Sequence, residues 1–173
     1  DPNDVHIFQK KLKNDGIIVE NDNFTIKNIS VHVEDGDNIC LILRDANWCN
    51  VQNCYFYGSD EYFTVYLSGP SELNVGESTI NGYFNNILDC HNIFDNNIIY
   101  TKWNGDSVSL SLQKYSTFRN NIVRGGKMAV YMCRNCVVSN NKIYDSAGHG
   151  IILSLPSHNV EISDNIINNT TYS

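Results

Sequence analysis

The segment Phe118-Arg119-Asn120-Asn121-Ile122-Val123 is one copy of a six-residue form that recurs through the chain. The form is apolar, any, Asn or an acid, small or Asn, any, apolar. It returns at 26–31, 51–56, 75–80, 94–99, 138–143 and 162–167, with steps of 25, 24, 19, 24, 20 and 24 residues between successive starts. A period of this length is the signature of stacked repeats. One unit is too short to bury its own apolar face, so each must pack on its neighbours.

The repeats read as strands. Their apolar positions are rich in Val, Ile, Phe and Tyr, which suit a pleated surface. Gly, Asn, Asp and Ser fall between the runs too often for helices. A second short apolar run accompanies most units, at 39–43, 63–67, 108–112, 129–132 and 151–155. One turn of about 22 residues with two or three short strands is one coil of a parallel β-helix, with coils roughly 4.8 Å apart. The fourth position of the unit reads Ile29, Cys54, Ser78, Asn97, Asn121, Asn141, Asn165. Four Asn in a row at one stacked position predict an amide ladder, each side chain bonding to the next.

This pattern resembles the right-handed parallel β-helix proteins of the pectin-lyase-like type. The segment 140–169 carries the resemblance best, with Asn-Asn-Lys-Ile-Tyr-Asp followed by Gly-His-Gly-Ile-Ile-Leu and then Ile-Ser-Asp-Asn-Ile-Ile-Asn-Asn. The resemblance covers residues 16 to 173 and implies an all-β, single-stranded right-handed solenoid of about seven coils. It implies little about function, because such folds host lyases, hydrolases, epimerases, viral tail proteins and non-catalytic domains.

Ahead of the solenoid, residues 1–15 read as a cap. Asp4 suits a helix N-cap, and Val5, Phe8 and Leu12 fall at helical spacing. Asn14-Asp15-Gly16 would stop that helix. Residues 16–173 form the solenoid domain, with no matching cap signal after the unit at 162–167.

A net charge of −7 argues against a nucleic-acid partner. No apolar run reaches membrane-spanning length, so no membrane partner is expected. The six cysteines, Cys40, Cys49, Cys54, Cys90, Cys133 and Cys136, read as free buried thiols. Neither a disulfide nor a structural zinc has its partners in register. Reduced thiols lean towards a reducing compartment, whereas the fold suggests an extracellular or virion surface. No cofactor and no metal are expected.

Chemistry on a packed solenoid must sit on its outer wall. One outward column follows each unit: His32, Tyr57, Asn81, Tyr100, Arg124, Tyr144, Asn168. A second precedes the other strand: Asp37, Glu61, Asp106, Met128, His149. One turn separates them, so together they could make the floor and rim of one groove. Aromatic faces beside hydrogen-bonding groups suit sugar rings, although Tyr is also an ordinary strand residue.

Gly148-His149-Gly150 resembles the Gly-His-Gly motif of polygalacturonases, and Asp106 stands where an Asp motif of that family would be. That family's paired Asp position reads Gly125-Gly126-Lys127-Met128 here, without a carboxylate. Hydrolysis needs two carboxyl groups across the bond. His149 also resembles the His of alginate C5-epimerases, but Ser107-Val108 replaces the Pro-His of their motif.

The expectation is therefore non-catalytic polysaccharide binding, with Tyr57, Tyr100, Arg124, Lys127 and Tyr144 as glycan contacts. The first alternative is a polysaccharide hydrolase, lyase or epimerase using Asp106 and His149 as catalytic residues. The second is a structural or assembly component, such as a trimeric viral surface protein. It is suggested by an outward column read as Ile42, Tyr66, Ile87, Ser111, Tyr131, Ser154.

Overall fold

The computed structural model describes residues 15–33, 38–58, 63–69, 88–102, 105–146 and 148–171, and the backbone of 5–9. After β1 (Val5–Gln9), strands follow in threes. The first rung is β2 (Ile17–Val19), β3 (Thr25–Lys27) and β4 (Ile29–Val33); the second is β5 (Leu41–Arg44), β6 (Asn50–Gln52) and β7 (Tyr55–Tyr57). The third is β8 (Val65–Ser68), β9 (Ile93–Asp95) and β10 (Ile98–Tyr100); the fourth is β11 (Asp106–Ser111), β12 (Thr117–Arg119) and β13 (Ile122–Arg124). The fifth is β14 (Lys127–Tyr131), β15 (Val137–Ser139) and β16 (Lys142–Tyr144); the last is β17 (Ile151–Ser154), β18 (Glu161–Ser163) and β19 (Ile166–Asn168). All pairings are parallel, between corresponding strands of successive rungs. They build a first sheet from β2 to β17, a second from β3 to β18 and a third from β1 to β19.

The six-residue unit is the corner joining the second and third sheets. Its first and last residues point inward and are buried in the middle rungs, as Phe118 and Val123 are. Its third residue turns the chain. Asn28, Asn53, Asn96, Asn120, Asn140 and Asp164 all have φ of 54–56°. Asn and Asp tolerate this left-handed backbone better than most residues, which explains the sequence preference at that position.

The fourth residue is the ladder. Asn97 Nδ2 donates to Asn121 Oδ1 at 3.0 Å, Asn121 Nδ2 to Asn141 Oδ1 at 3.1 Å, and Asn141 Nδ2 to Asn165 Oδ1 at 2.9 Å. Each Oδ1 also accepts the preceding rung's backbone N–H at that position. The first rung of the run is Cys54, whose N–H donates to Asn97 Oδ1 at 2.9 Å. Inside, Phe56, Phe94 and Phe118 stack with centroids 6.0 and 5.0 Å apart.

Two expectations change. Seven units were expected to stack, and six do among the described residues. The unit at 75–80 lies outside the described residues, and its neighbours pair directly across it, Val51 with Phe94 and Phe56 with Ile99. The expected cap helix, where described, is the strand β1, paired with β4 from Val5–Ile29 to Gln9–Val33. Val5, Ile7 and Phe8 favour strand, and the edge of β4 offers partners to the backbone groups of β1 that face it. Asp4 and Leu12 lie outside the described residues.

The two ends of the stack differ. Inward residues of the first rung are covered, Val19 and Ile26 among them. Their counterparts in the last rung, Leu153, Ile162 and Ile167, are 50, 41 and 44% exposed.

Candidate functional site

The third sheet does align the expected glycan column. His32, Tyr57, Tyr100, Arg124, Tyr144 and Asn168 are successive register partners. The rings stack on each other, His32 on Tyr57 at 5.4 Å and Tyr57 on Tyr100 at 4.9 Å. Lys102 Nζ lies 5.2 Å from the Tyr57 ring centre. Stacked this way, the rings cover one another's faces. Arg124 is ion-paired, its Nε donating to Asp145 Oδ2 at 2.8 Å. Asn169 and Arg124 together hold the Asp145 carboxyl below its usual range. Asn81 lies outside the described residues.

Asp106 stands at the start of β11 and is buried. Lys127 is its register partner, and its Nζ lies 3.1 Å from Asp106 Oδ1. Tyr131 donates its hydroxyl to Asp106 Oδ2 at 2.9 Å. Burial, reinforced by the Asp106 hydrogen bond and charge, pushes the Tyr131 phenol up to about 12. Both carboxylate oxygens are thus engaged. The register slips between Asp106 and Val108, so Ser107 is the extra residue of a bulge.

The second expected column is not a column. Met128 is fully buried and pairs with Ile151. That pairing sets Lys127 opposite Gly150, so the rung position after Asp106 and Lys127 belongs to Gly150. Exposed His149 is one residue out of line, and its carbonyl accepts from Ser146 Oγ at 2.9 Å. Asp37 and Glu61 lie outside the described residues. The structure therefore brings Lys127 to Asp106, and keeps the Tyr57–Tyr144 column on the other side of the corner between the third and first sheets.

A groove of about 680 Å³ lies on the first sheet instead. Its walls include Arg44, Phe63, Tyr66, Ser109, Ser111 and Tyr131. Phe63 stacks on Tyr66 at 5.7 Å. Arg44 is held by Glu20 at 2.9 Å. The outward column expected here holds in two halves, Ile42 with Tyr66 and Ser111 with Tyr131 and Ser154, which are offset from each other by two residues. Tyr66 pairs with Ile42 and Ser109, while Ser111 pairs with Ser68 and Tyr131. Ile87 lies outside the described residues. Sequence reasoning assigned Tyr66 and Tyr131 to a contact surface and did not join them to Asp106. The signal was present in the Tyr131–Asp106 spacing of one coil plus four residues, but only the register reveals it.

All six cysteines are buried free thiols. Burial pushes Cys40 and Cys90 up to about 12. Cys133 and Cys136 each donate to a backbone carbonyl of the preceding rung, at 3.3 Å. Burial holds the others protonated, whereas a hydrogen bond from the Cys133 thiol, which is raised, pulls Cys136 below the ordinary thiol range.

A three-sheet parallel solenoid with an amide ladder at one corner defines a class of β-helix proteins. The sequence profile of the family described as "Right handed beta helix region" matches residues 64–173, and the chain belongs to that family. The coils are accordingly right-handed. No curated protein matches the chain, and no solved structure does.

Proposed function

We propose that this β-helix binds a polysaccharide without turning it over, and that the groove on the first sheet receives it. The observation that carries this reading is the groove's lining. Aromatic Phe63, Tyr66 and Tyr131 offer surface for the apolar face of a sugar and Arg44 offers hydrogen bonds to its edge, while Ser109 and Ser111, buried and bonded to each other at 3.3 Å, lie at the floor. Asp106 serves as a brace, since Lys127 and Tyr131 occupy its two oxygens. A general acid or base must reach the reacting oxygen itself, and among the described residues this cluster holds no second carboxylate of the kind hydrolysis requires. His149 stands one residue out of the Asp106–Lys127 line.

The residues Tyr57, Tyr100, Arg124 and Tyr144 form a second proposed contact face for a longer chain. Arg124 there contributes through its paired guanidinium, and stacked ring edges rather than faces meet the sugar.

Titration with a panel of neutral and uronate hexasaccharides tests the reading. Tyr66→Ala should weaken binding about tenfold, equivalent to ~1.4 kcal/mol. Unchanged affinity in Tyr66→Ala, or release of reducing ends that Asp106→Asn abolishes, would overturn it.

A further inference from the structure

The corner between the first and second sheets also turns on left-handed residues. They are Asn23, Trp48, His91, Tyr115, Asn135 and Asn159, with φ of 51–60°. Backbone hydrogen bonds between neighbouring corners keep them in line, as from Trp48 N–H to the Cys90 carbonyl and from Tyr115 N–H to that of Arg134. Asn occupies the corner in three rungs, where it suits the backbone. In the other three, which are consecutive, a bulky ring stands in a conformation that disfavours bulky side chains.

The three rings form a stack. Trp48 and His91 lie 4.0 Å apart with planes 12° from parallel, and His91 and Tyr115 lie 5.1 Å apart. The two ends of the stack differ. Lys114 Nζ lies 5.3 Å from the Tyr115 ring centre and ion-pairs with Asp89 at 2.6 Å. At the Trp48 end the next rung offers only Asn23. His91 covers one face of the indole, yet the residue remains 56% exposed. A broad apolar face is thus presented above a polar step formed by Asn21, Asp22 and Asn23, all exposed.

We infer that Trp48 is a sugar-binding platform, separate from the groove on the first sheet, and that it takes a neutral, hydroxyl-rich ring. An indole face packs against the C–H face of a sugar, and neighbouring amides and a carboxylate bond to its hydroxyls. The local charge selects against uronates: Asp22, whose Oδ1 accepts the Asn47 N–H at 2.8 Å, lies in the step and Glu20 beside it, Arg44 is already paired with Glu20, and Lys114 with Asp89. The inference rests on the polysaccharide reading for its ligand class, but not on the groove.

The test uses the same neutral hexasaccharides and their uronate counterparts, followed by tryptophan fluorescence and by calorimetry. Trp48→Asn is the variant of choice, because Asn holds this backbone at three equivalent corners. Calorimetry should resolve two sites: Tyr66→Ala weakens the groove site and leaves a neutral-sugar site, and that remaining site should weaken tenfold or more when Trp48→Asn is added and recover largely with Trp48→Tyr. Circular dichroism and the melting temperature confirm that each variant is folded. Loss in Tyr66→Ala with none in Trp48→Asn would overturn this inference and leave the groove reading intact. Loss in Trp48→Asn with none in Tyr66→Ala would do the reverse. Preferential binding of uronates at Trp48, or no saccharide binding at all, would also overturn it.

Discussion

The corner joining the second and third sheets and the corner joining the first and second solve one problem in two ways. Each must turn the chain and satisfy buried backbone groups on its inner side. The first does so by repetition, with a left-handed Asn or Asp outside and a ladder of Asn97, Asn121, Asn141 and Asn165 inside. The second has no uniform ladder. Its inner position reads Cys49, Asn92, Ser116, Cys136, and the Asn92 and Ser116 side chains share Gln113 at 3.1 and 3.0 Å. Its outer position carries the Trp48–His91–Tyr115 stack. A corner that repeats is occupied by the needs of the fold. A corner that varies its inner chemistry from rung to rung leaves its outer residues open to other selection.

The thiols give the largest expected contrast. Cys40 and Cys90, raised to about 12 against an ordinary thiol near 8.5, should react at pH 8 on the order of a thousandfold more slowly than an exposed cysteine. Alkylation of the native protein should label none of the six, and alkylation in denaturant all six. A labelled Cys49 or Cys136 in the native state would mean that the variable corner opens.

Asn121→Leu breaks the repeating corner. It strands the buried Asn97 N–H, takes the side-chain donor from the Phe94 carbonyl, and leaves the Asn97 amide and the Asn141 oxygen one partner each, so about 1–3 kcal/mol of stability should be lost. Ser116→Ala breaks the variable corner, where it strands the Asn92 N–H alone while the Asn92 and Gln113 side chains stay bonded to each other, and should cost about 1 kcal/mol. Urea unfolding compares the two. Equal losses would show that the corners do not differ in kind.

Alkali probes the Asp106 brace. The Tyr131 phenol is raised in the folded state to about 12, above its unfolded value near 10. Stability from this group is complete below pH 10 and declines as pH rises towards 12. Asp106→Asn should lower the phenol's titration midpoint, as read by ultraviolet difference spectra. An unchanged midpoint would show that burial acts alone.

Trp48→Asn should change stability by less than about 0.5 kcal/mol, because the backbone strain it relieves offsets the stacking it removes. A larger loss would make the ring stack part of the fold rather than a platform.

Much of this was legible in the sequence. The unit's apolar ends mark the core, its third residue marks the turn, and its fourth the ladder, because each position answers to one physical demand. The unit at 75–80 satisfies the same pattern, yet β6 pairs directly with β9. Ser68 stands opposite Ser111, and Cys90 meets Lys114, so the described residues on either side of 70–87 pair with one continuous stretch of the next rung. Surface columns were harder to read. The corner from the third sheet to the first has two residues between β13 and β14, five between β10 and β11 and six between β16 and β17. A count along the chain slips there, which is how Met128 and His149 were placed with Asp106, and Tyr66 with Ser111. Tertiary pairing, not local pattern, sets that register.

Residue-resolved NMR titration with a neutral hexasaccharide tests the functional account most directly. Shifts centred on Tyr66, Tyr131 and the Trp48 corner, with smaller ones at most along Tyr57–Tyr144 and the Asn120–Asn121 corner silent, are the predicted result. Shifts centred on Tyr57, Tyr100 and Tyr144, with the first sheet silent, would contradict it.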